Sequence, residues 1–134
     1  MSHQYYFTGI TNAVIRHRLV EIPEQLKTFY VIRSRYMLAE HETGGHKYLA
    51  VCPRKEWKEL FGENVNHFNL ETIVKDNGKK LLKLPPSSIR YLDLGKDNAV
   101  KIIGCGNWFE IWKPEDYENW EEQYINTLTG INAK

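Results

Sequence analysis

The sequence predicts a mainly β fold with short helices (α+β). One domain is expected, whose two β-β-α-β-like halves interlock into a single barrel. Two observations lead there. Arg18-Leu19-Val20-Glu21-Ile22-Pro23 and Lys80-Leu81-Leu82-Lys83-Leu84-Pro85 share one pattern: a basic residue, a short apolar strand and an aliphatic-proline step, 62 residues apart. Ala50-Val51-Cys52-Pro53-Arg54-Lys55-Glu56-Trp57 and Glu110-Ile111-Trp112-Lys113-Pro114-Glu115-Asp116-Tyr117 repeat a second landmark, with the prolines 61 residues apart. Two landmarks in one order at nearly one offset mark an internal duplication. A unit of roughly 60 residues has little core of its own, so two copies are expected to share one. The expected repeats are 5–62 and 68–128 within a single domain 1–134. Any functional surface is then expected twice.

The elements follow in order. Tyr5 to Ile10 is aromatic and β-prone, with Gly9 as a bend or bulge. Arg18 to Ile22 reads as a strand, and Pro23 fits the first turn of a short helix over Glu24-Gln25-Leu26-Lys27. Tyr30 to Leu38 alternates as a strand. Glu40 to Lys47, containing Gly44-Gly45, reads as a hairpin loop, and Tyr48 to Cys52 as a short apolar strand. Pro53 opens a helix over Arg54–Phe61 that Gly62 stops. The second unit repeats this order. Leu70 to Lys75 is a strand, Asp76-Asn77-Gly78 a turn, Lys80 to Leu84 a strand, and Pro85-Pro86-Ser87-Ser88 leads into a helix carrying Ile89 and Leu92. After a turn at Gly95 to Asn98, Ala99 to Ile103 and Phe109 to Trp112 are strands. Pro114 opens the last helix, with Glu115 and Asp116 suited to its N-terminal dipole and Tyr117, Trp120, Tyr124 and Leu128 on one face.

Hydrophobic residues at 42% and charged residues at 26% place the chain with ordinary soluble globular proteins. No apolar run reaches the roughly 20 residues of a membrane helix, and no basic-then-apolar leader opens the chain, so neither membrane insertion nor a cleaved signal peptide is expected. Cys52 and Cys105 lie in apolar stretches without a CxxC pair, which reads as buried thiols in a reducing cytoplasm. The net charge of +1 decides nothing about nucleic acid, because local clustering governs that contact. The charges are segregated: Arg16-His17-Arg18 and Lys79-Lys80 are basic, and Glu115 to Glu122 is acidic.

His41-Glu42-Thr43-Gly44-Gly45-His46 is the one cluster with a hint of metal chemistry. Its histidines are five apart, where a helical zinc motif needs four, and Gly-Gly opposes a helix; a solvated hairpin loop is expected and no metal. No nucleophile triad, phosphate loop or dinucleotide motif occurs, so no enzyme and no cofactor are expected. The tryptophans are expected to pack in the core or between subunits. The basic turns carry the functional reading. A lone basic turn is usually solvated charge, but its recurrence at the equivalent place in the second unit favours contact with phosphates and base edges.

These residues resemble a known family. Val100-Lys101-Ile102-Ile103-Gly104 with Phe109-Glu110-Ile111-Trp112-Lys113-Pro114-Glu115 is similar to the second repeat of MraZ proteins, and Pro53-Arg54-Lys55-Glu56-Trp57 to the first. MraZ belongs to the AbrB-like, swapped-hairpin group of bacterial transcriptional regulators. The resemblance extends from about Phe7 to Trp120. It implies two tandem pseudo-symmetric AbrB/MraZ-like units in one interlocked double-split β-barrel. It also implies a cytoplasmic, nucleoid-associated regulator that binds promoter DNA at tandem sites as a homo-oligomer, possibly a ring. The family's DNA signature is Asp-x-x-x-Arg at the hairpin before each strand-proline step. Here the second copy is Asp76-Asn77-Gly78-Lys79-Lys80, with lysine for arginine. In the first copy Arg18 is in place, Val14 stands for the Asp and His17 for the Gly, and the hairpin is about two residues short. The long segment between the halves of typical members is also missing. Lysine lacks the bidentate fork that arginine offers guanine. Arg16, Arg18, Lys79 and Lys80 are therefore the expected DNA contacts, with Arg18 the base-reading one. The alternative is a structural or protein-interaction module that keeps the fold without binding DNA.

Overall fold

The structure, a computed structural model, describes residues 9–21, 36–53, 67–74, 79–106 and 108–129. The expected helices 24–27 and 54–61, Trp57 and the Asp76-Asn77-Gly78 turn lie outside them. The described residues form eight strands and two helices: β1 (Ile10–Val14), β2 (Leu19–Glu21), β3 (Tyr36–Thr43), β4 (His46–Pro53), β5 (His67–Val74), β6 (Lys80–Lys83), α1 (Pro86–Leu92), β7 (Ala99–Gly104), β8 (Phe109–Trp112) and α2 (Pro114–Thr129). The fold is mainly β.

The strands make one antiparallel sheet in the order β1-β7-β8-β4-β3-β5-β6-β2. Exchanging β1–β4 for β5–β8 leaves all but one of the pairings unchanged. The β1·β7 ladder becomes β5·β3, the β3·β4 hairpin becomes β7·β8, and β4·β8 and β2·β6 map onto themselves. Each half thus lends a strand to the sheet of the other. One pairing breaks the rule. β5 and β6 share a four-pair ladder, whereas β1 and β2 keep only the Arg16–Leu19 bridge. The two ends of the strand order are therefore consecutive strands, yet no closed barrel forms among the described residues.

A single cluster fills the core. Val20, Tyr36, Leu38, Leu49 and Val51 from the first half pack with Leu70, Leu82, Leu84, Leu92, Val100, Ile102, Phe109 and Ile111 from the second. Strand alternation explains the selection: Leu49 and Val51 point inward from β4 while Tyr48 points to the other face. Val20 and Leu82, at 1% and 0% exposure, are register partners at the middle of the β2·β6 ladder. Burying each such side chain contributes about 1.5–3 kcal/mol.

Two boundaries differ from the sequence reading. The expected hairpin loop 40–47 is mostly ladder, paired from Tyr36↔Pro53 out to Thr43↔His46, and only Gly44-Gly45 (φ 56° and 83°) form the turn. Polar residues stay in the strand because they find partners there. Ser88 Oγ donates to Glu40 Oε2 (3.2 Å), Tyr91 Oη donates to the His41 carbonyl (2.8 Å), and the His41 ring stacks on Tyr48. Pro53 closes β4, pairing with Tyr36. The second difference is a strand over Ile10–Val14 that pairs with β7, where the sequence reading ended its β-prone stretch at Ile10; residues 5–8 of that stretch lie outside the described residues.

Proline starts both described helices as expected. Pro86 sits in the first turn of α1, which Asp93 ends in a left-handed conformation (φ 54°), its N–H donating to Arg90 O at 3.1 Å. In α2 acidic side chains of the first two turns face basic neighbours: Asp116 lies 3.8 Å from His46 Nδ1, and Glu118 lies 3.6 Å from Lys101 Nζ. Trp112, 2% exposed, anchors α2 through Tyr117 and Trp120, with ring centroids at 5.5 and 5.8 Å.

Candidate nucleic-acid interface

β1 and β2 are joined by a two-residue hairpin. Arg16 N–H donates to Leu19 O (3.0 Å) and Leu19 N–H donates to Arg16 O (2.7 Å), which leaves His17 and Arg18 as the turn. Both have positive φ, 53° and 65°. That is the signature of a type I′ turn, whose right-handed twist suits a hairpin and whose usual occupants are Asn-Gly or Gly-Gly. Gly44-Gly45 fill the β3–β4 turn at no steric cost. At His17 and Arg18 the left-handed backbone costs about 1–2 kcal/mol per residue. Strain of this kind collects where side chains serve a function.

The four basic residues singled out from sequence fall as follows. Arg16 is exposed on the hairpin bridge, and Arg18 is half-buried in the turn rather than on the strand. Lys79 is exposed just before β6, and Lys80 is the first residue of β6, opposite Val74. Because β2 and β6 are antiparallel about Val20↔Leu82, the two basic turns lie at opposite ends of one ladder. Leu84 N–H donates to Arg18 O (2.7 Å) at one end, and Lys80 lies one step beyond Glu21↔Leu81 at the other. Four residue steps of ~3.3 Å separate these ends, roughly 13 Å of strand. The hairpin tips differ: two residues lie between Arg16 and Leu19, and five between Val74 and Lys80.

The sequence reading missed the acidic neighbour of this ladder. Glu21 Oε1 lies 3.8 Å from Lys79 Nζ, with both side chains about half exposed. Such a pair is worth about 0–1 kcal/mol and is readily exchanged for another anion. The 62-residue offset held the signal, since copies paired antiparallel about Val20 and Leu82 put residue 21 opposite residue 81 and diagonal to residue 79.

An open cleft of about 440 Å³ flanks the first hairpin, lined by Val14, Ile15, Arg16, His17, Asp97 and Asn98. The β1·β7 pairing creates it. Ile15 N–H donates to Asn98 O (3.0 Å), tying the Gly95–Asn98 turn to the hairpin stem. Asn98 N–H donates to Gly95 O (3.1 Å), and Asn98 is left-handed at φ 53°.

The opposite chemistry lies under α2. Glu110 accepts from two indoles, Trp108 Nε1 (2.9 Å) and Trp112 Nε1 (2.8 Å). Trp112 stacks parallel on Tyr48 at 4.6 Å. Burial, reinforced by Glu110, pushes the Tyr48 phenol and the Cys105 thiol each up to about 12. Burial holds the His41 imidazole below its ordinary 6.5, with Glu110 opposing. This is a packing cluster: its acid is engaged by indoles and its thiol stays protonated. Among the described residues no group of three His, Cys, Asp or Glu is arranged to hold a metal ion. None of the described helices is long and apolar enough to cross a membrane.

No family model matches the chain. A transcriptional regulator MraZ from Mycoplasma mycoides subsp. mycoides is 33% identical over 69 residues, which cover 46% of this chain and 50% of that protein. The chain thus spans about half the length of the curated relative it matches, and the protein it is similar to there is a transcriptional regulator.

Proposed function

We propose that this chain is a DNA-binding transcriptional regulator of the MraZ type, without catalytic activity, acting in the cytoplasm at the nucleoid. Its working surface is the β2·β6 ladder with the basic turns at its ends. Arg16, Arg18, Lys79 and Lys80 meet backbone phosphates, and the Arg18 fork reaches a base. Residues 5–62 and 68–128 act as pseudo-symmetric repeats of one domain, in an interlocked double-split barrel. The invariance of the strand pairings under exchange of halves supports that reading. The observation that carries the function is the His17-Arg18 turn, a strained tip that keeps basic side chains where a glycine turn would be more stable.

Four phosphate contacts per chain give modest affinity at physiological salt. Repetition of the surface in a homo-oligomer, possibly a ring on tandem promoter sites, multiplies them through effective concentration. The test is duplex binding across salt. Each lost phosphate contact lowers the log–log slope by about 0.9. Lys79→Ala/Lys80→Ala is expected to lower it by about 1.8; an unchanged slope removes those lysines from the interface. Sedimentation at micromolar concentration tests assembly, and a clean monomer with and without DNA refutes it. A second reading, a protein-interaction module that no longer binds DNA, draws on Tyr124 and Ile125, which stand 52% and 48% exposed on acidic α2. Absence of any salt-dependent duplex binding favours it.

A further inference from the structure

We propose that the Gly95–Asn98 turn is a second DNA-contacting element, with Asn98 reading a base edge and Lys96 anchoring a phosphate. The inference rests on the hairpin interface above and extends it to a loop more than 75 residues away in sequence. The β1·β7 ladder brings the two together: Val14↔Ala99 is its last pair, and the Ile15–Asn98 hydrogen bond continues it to the hairpin. His17 and Asn98 line the same open cleft, and both are non-glycine residues held at φ 53°. Both backbone polar groups of Asn98 are used, by Gly95 and Ile15, while its side chain is exposed. A side-chain amide offers donor and acceptor side by side, the complement of adenine N6 and N7 in the major groove. Lys96, exposed in the same turn, supplies a point charge for a phosphate. Asp97 is the adverse charge, and its Oδ1 accepts from Ala99 N–H at 3.3 Å within the turn. Val14, 41% exposed, gives the cleft an apolar wall suited to a thymine methyl group. Among the proposed contacts Arg18 has the forked geometry for a base and the lysines do not, so an amide at this place adds sequence information that the lysines lack.

The substitution Asn98→Gly isolates the side chain, because glycine accepts φ 53° without steric strain, and the strain relieved offsets the entropy that glycine loses on folding. Full-length wild type and variant are each used to select from a random 20-base-pair duplex pool. Binding of the selected duplex is then compared with a scrambled one. Wild type is expected to show an adenine preference that Asn98→Gly loses, with the selected-to-scrambled ratio falling about 5- to 100-fold at an unchanged melting temperature. Lys96→Ala is expected to lower the salt slope by about 0.9 while keeping the ratio. If Asn98→Gly keeps the ratio and Lys96→Ala keeps the slope, the turn is no part of the interface. A wild-type protein that selects no duplex defeats the hairpin interface itself.

Discussion

Replacing His17-Arg18 by Asn-Gly is expected to stabilise the protein while weakening its proposed function. The two residues have φ 53° and 65° in a hydrogen-bonded two-residue hairpin. Left-handed backbone costs a non-glycine residue about 1–2 kcal/mol. Histidine tolerates it better than most and sits at the low end. Glycine at position 18 returns about 0.5–1 kcal/mol through the greater freedom of the unfolded chain. The net gain is about 1–2 kcal/mol, which in a domain of this size raises the melting midpoint by roughly 3–8 °C. Urea titration followed by tryptophan fluorescence measures it, with the slope of the transition as a check on two-state behaviour. The backbone bonds Arg16–Leu19 and Leu84–Arg18 do not depend on the replaced side chains. Loss of the Arg18 charge is expected to lower the DNA salt slope by about 0.9. A variant with an unchanged or lowered midpoint would refute the claim that this turn stores strain.

Three further outcomes follow from the same geometry. Glu21→Gln releases Lys79 from its ion pair, so duplex affinity is expected to rise up to about fivefold in fluorescence anisotropy, with stability changed by less than about 0.5 kcal/mol; weaker binding would exclude Glu21 as an internal competitor. Glu110→Gln leaves one acceptor oxygen where Trp108 and Trp112 each use one, setting an amide NH2 against an indole N–H, and is expected to cost about 1–3 kcal/mol in urea unfolding; a neutral result would mean that the two indoles do not depend on it. The folded Cys105 thiol keeps its proton to about 12, whereas an unperturbed thiol titrates near 9.0. Unfolding therefore releases a proton above pH 9, and this group's contribution to stability is lost as pH rises from about 9 to 12. Melting scans over that range are expected to fall less steeply for Cys105→Ala, and iodoacetamide is expected to spare the native thiol at pH 8.

Much of the fold was legible because few residues fix it. The strand-proline-helix step at Leu84-Pro85-Pro86 and the helix opened by Pro114 are local signals, and both elements form where the prolines put them. The aromatic stripe of α2 reads at helical spacing, and Tyr117 and Trp120 do pack on Trp112. The β3–β4 hairpin was misread because Glu40, His41 and His46 are polar. Their strand conformation is supported by Ser88, Tyr48 and Asp116, partners that local pattern does not reveal. A basic turn at Arg16-His17-Arg18 was read from its charge, but its tight type I′ form was not, since it lacks the Asn or Gly by which such a turn is recognised. Arg16, Arg18, Lys79 and Lys80 were singled out by repetition as the proposed contacts. Glu21, Lys96 and Asn98 require the registers of β2·β6 and β1·β7, which come only with the fold.

The most direct test of the central claim is a residue-resolved map of the DNA-bound surface. An amide chemical-shift titration of the isotope-labelled protein with a short duplex at low salt provides it. The account predicts that the largest changes fall on residues 15–19 and 79–83, with Lys96 and Asn98 beside them, and that they fade as salt rises. Changes confined to α2 and the Tyr48–Trp112 face, or none at all on the hairpin residues, would contradict it.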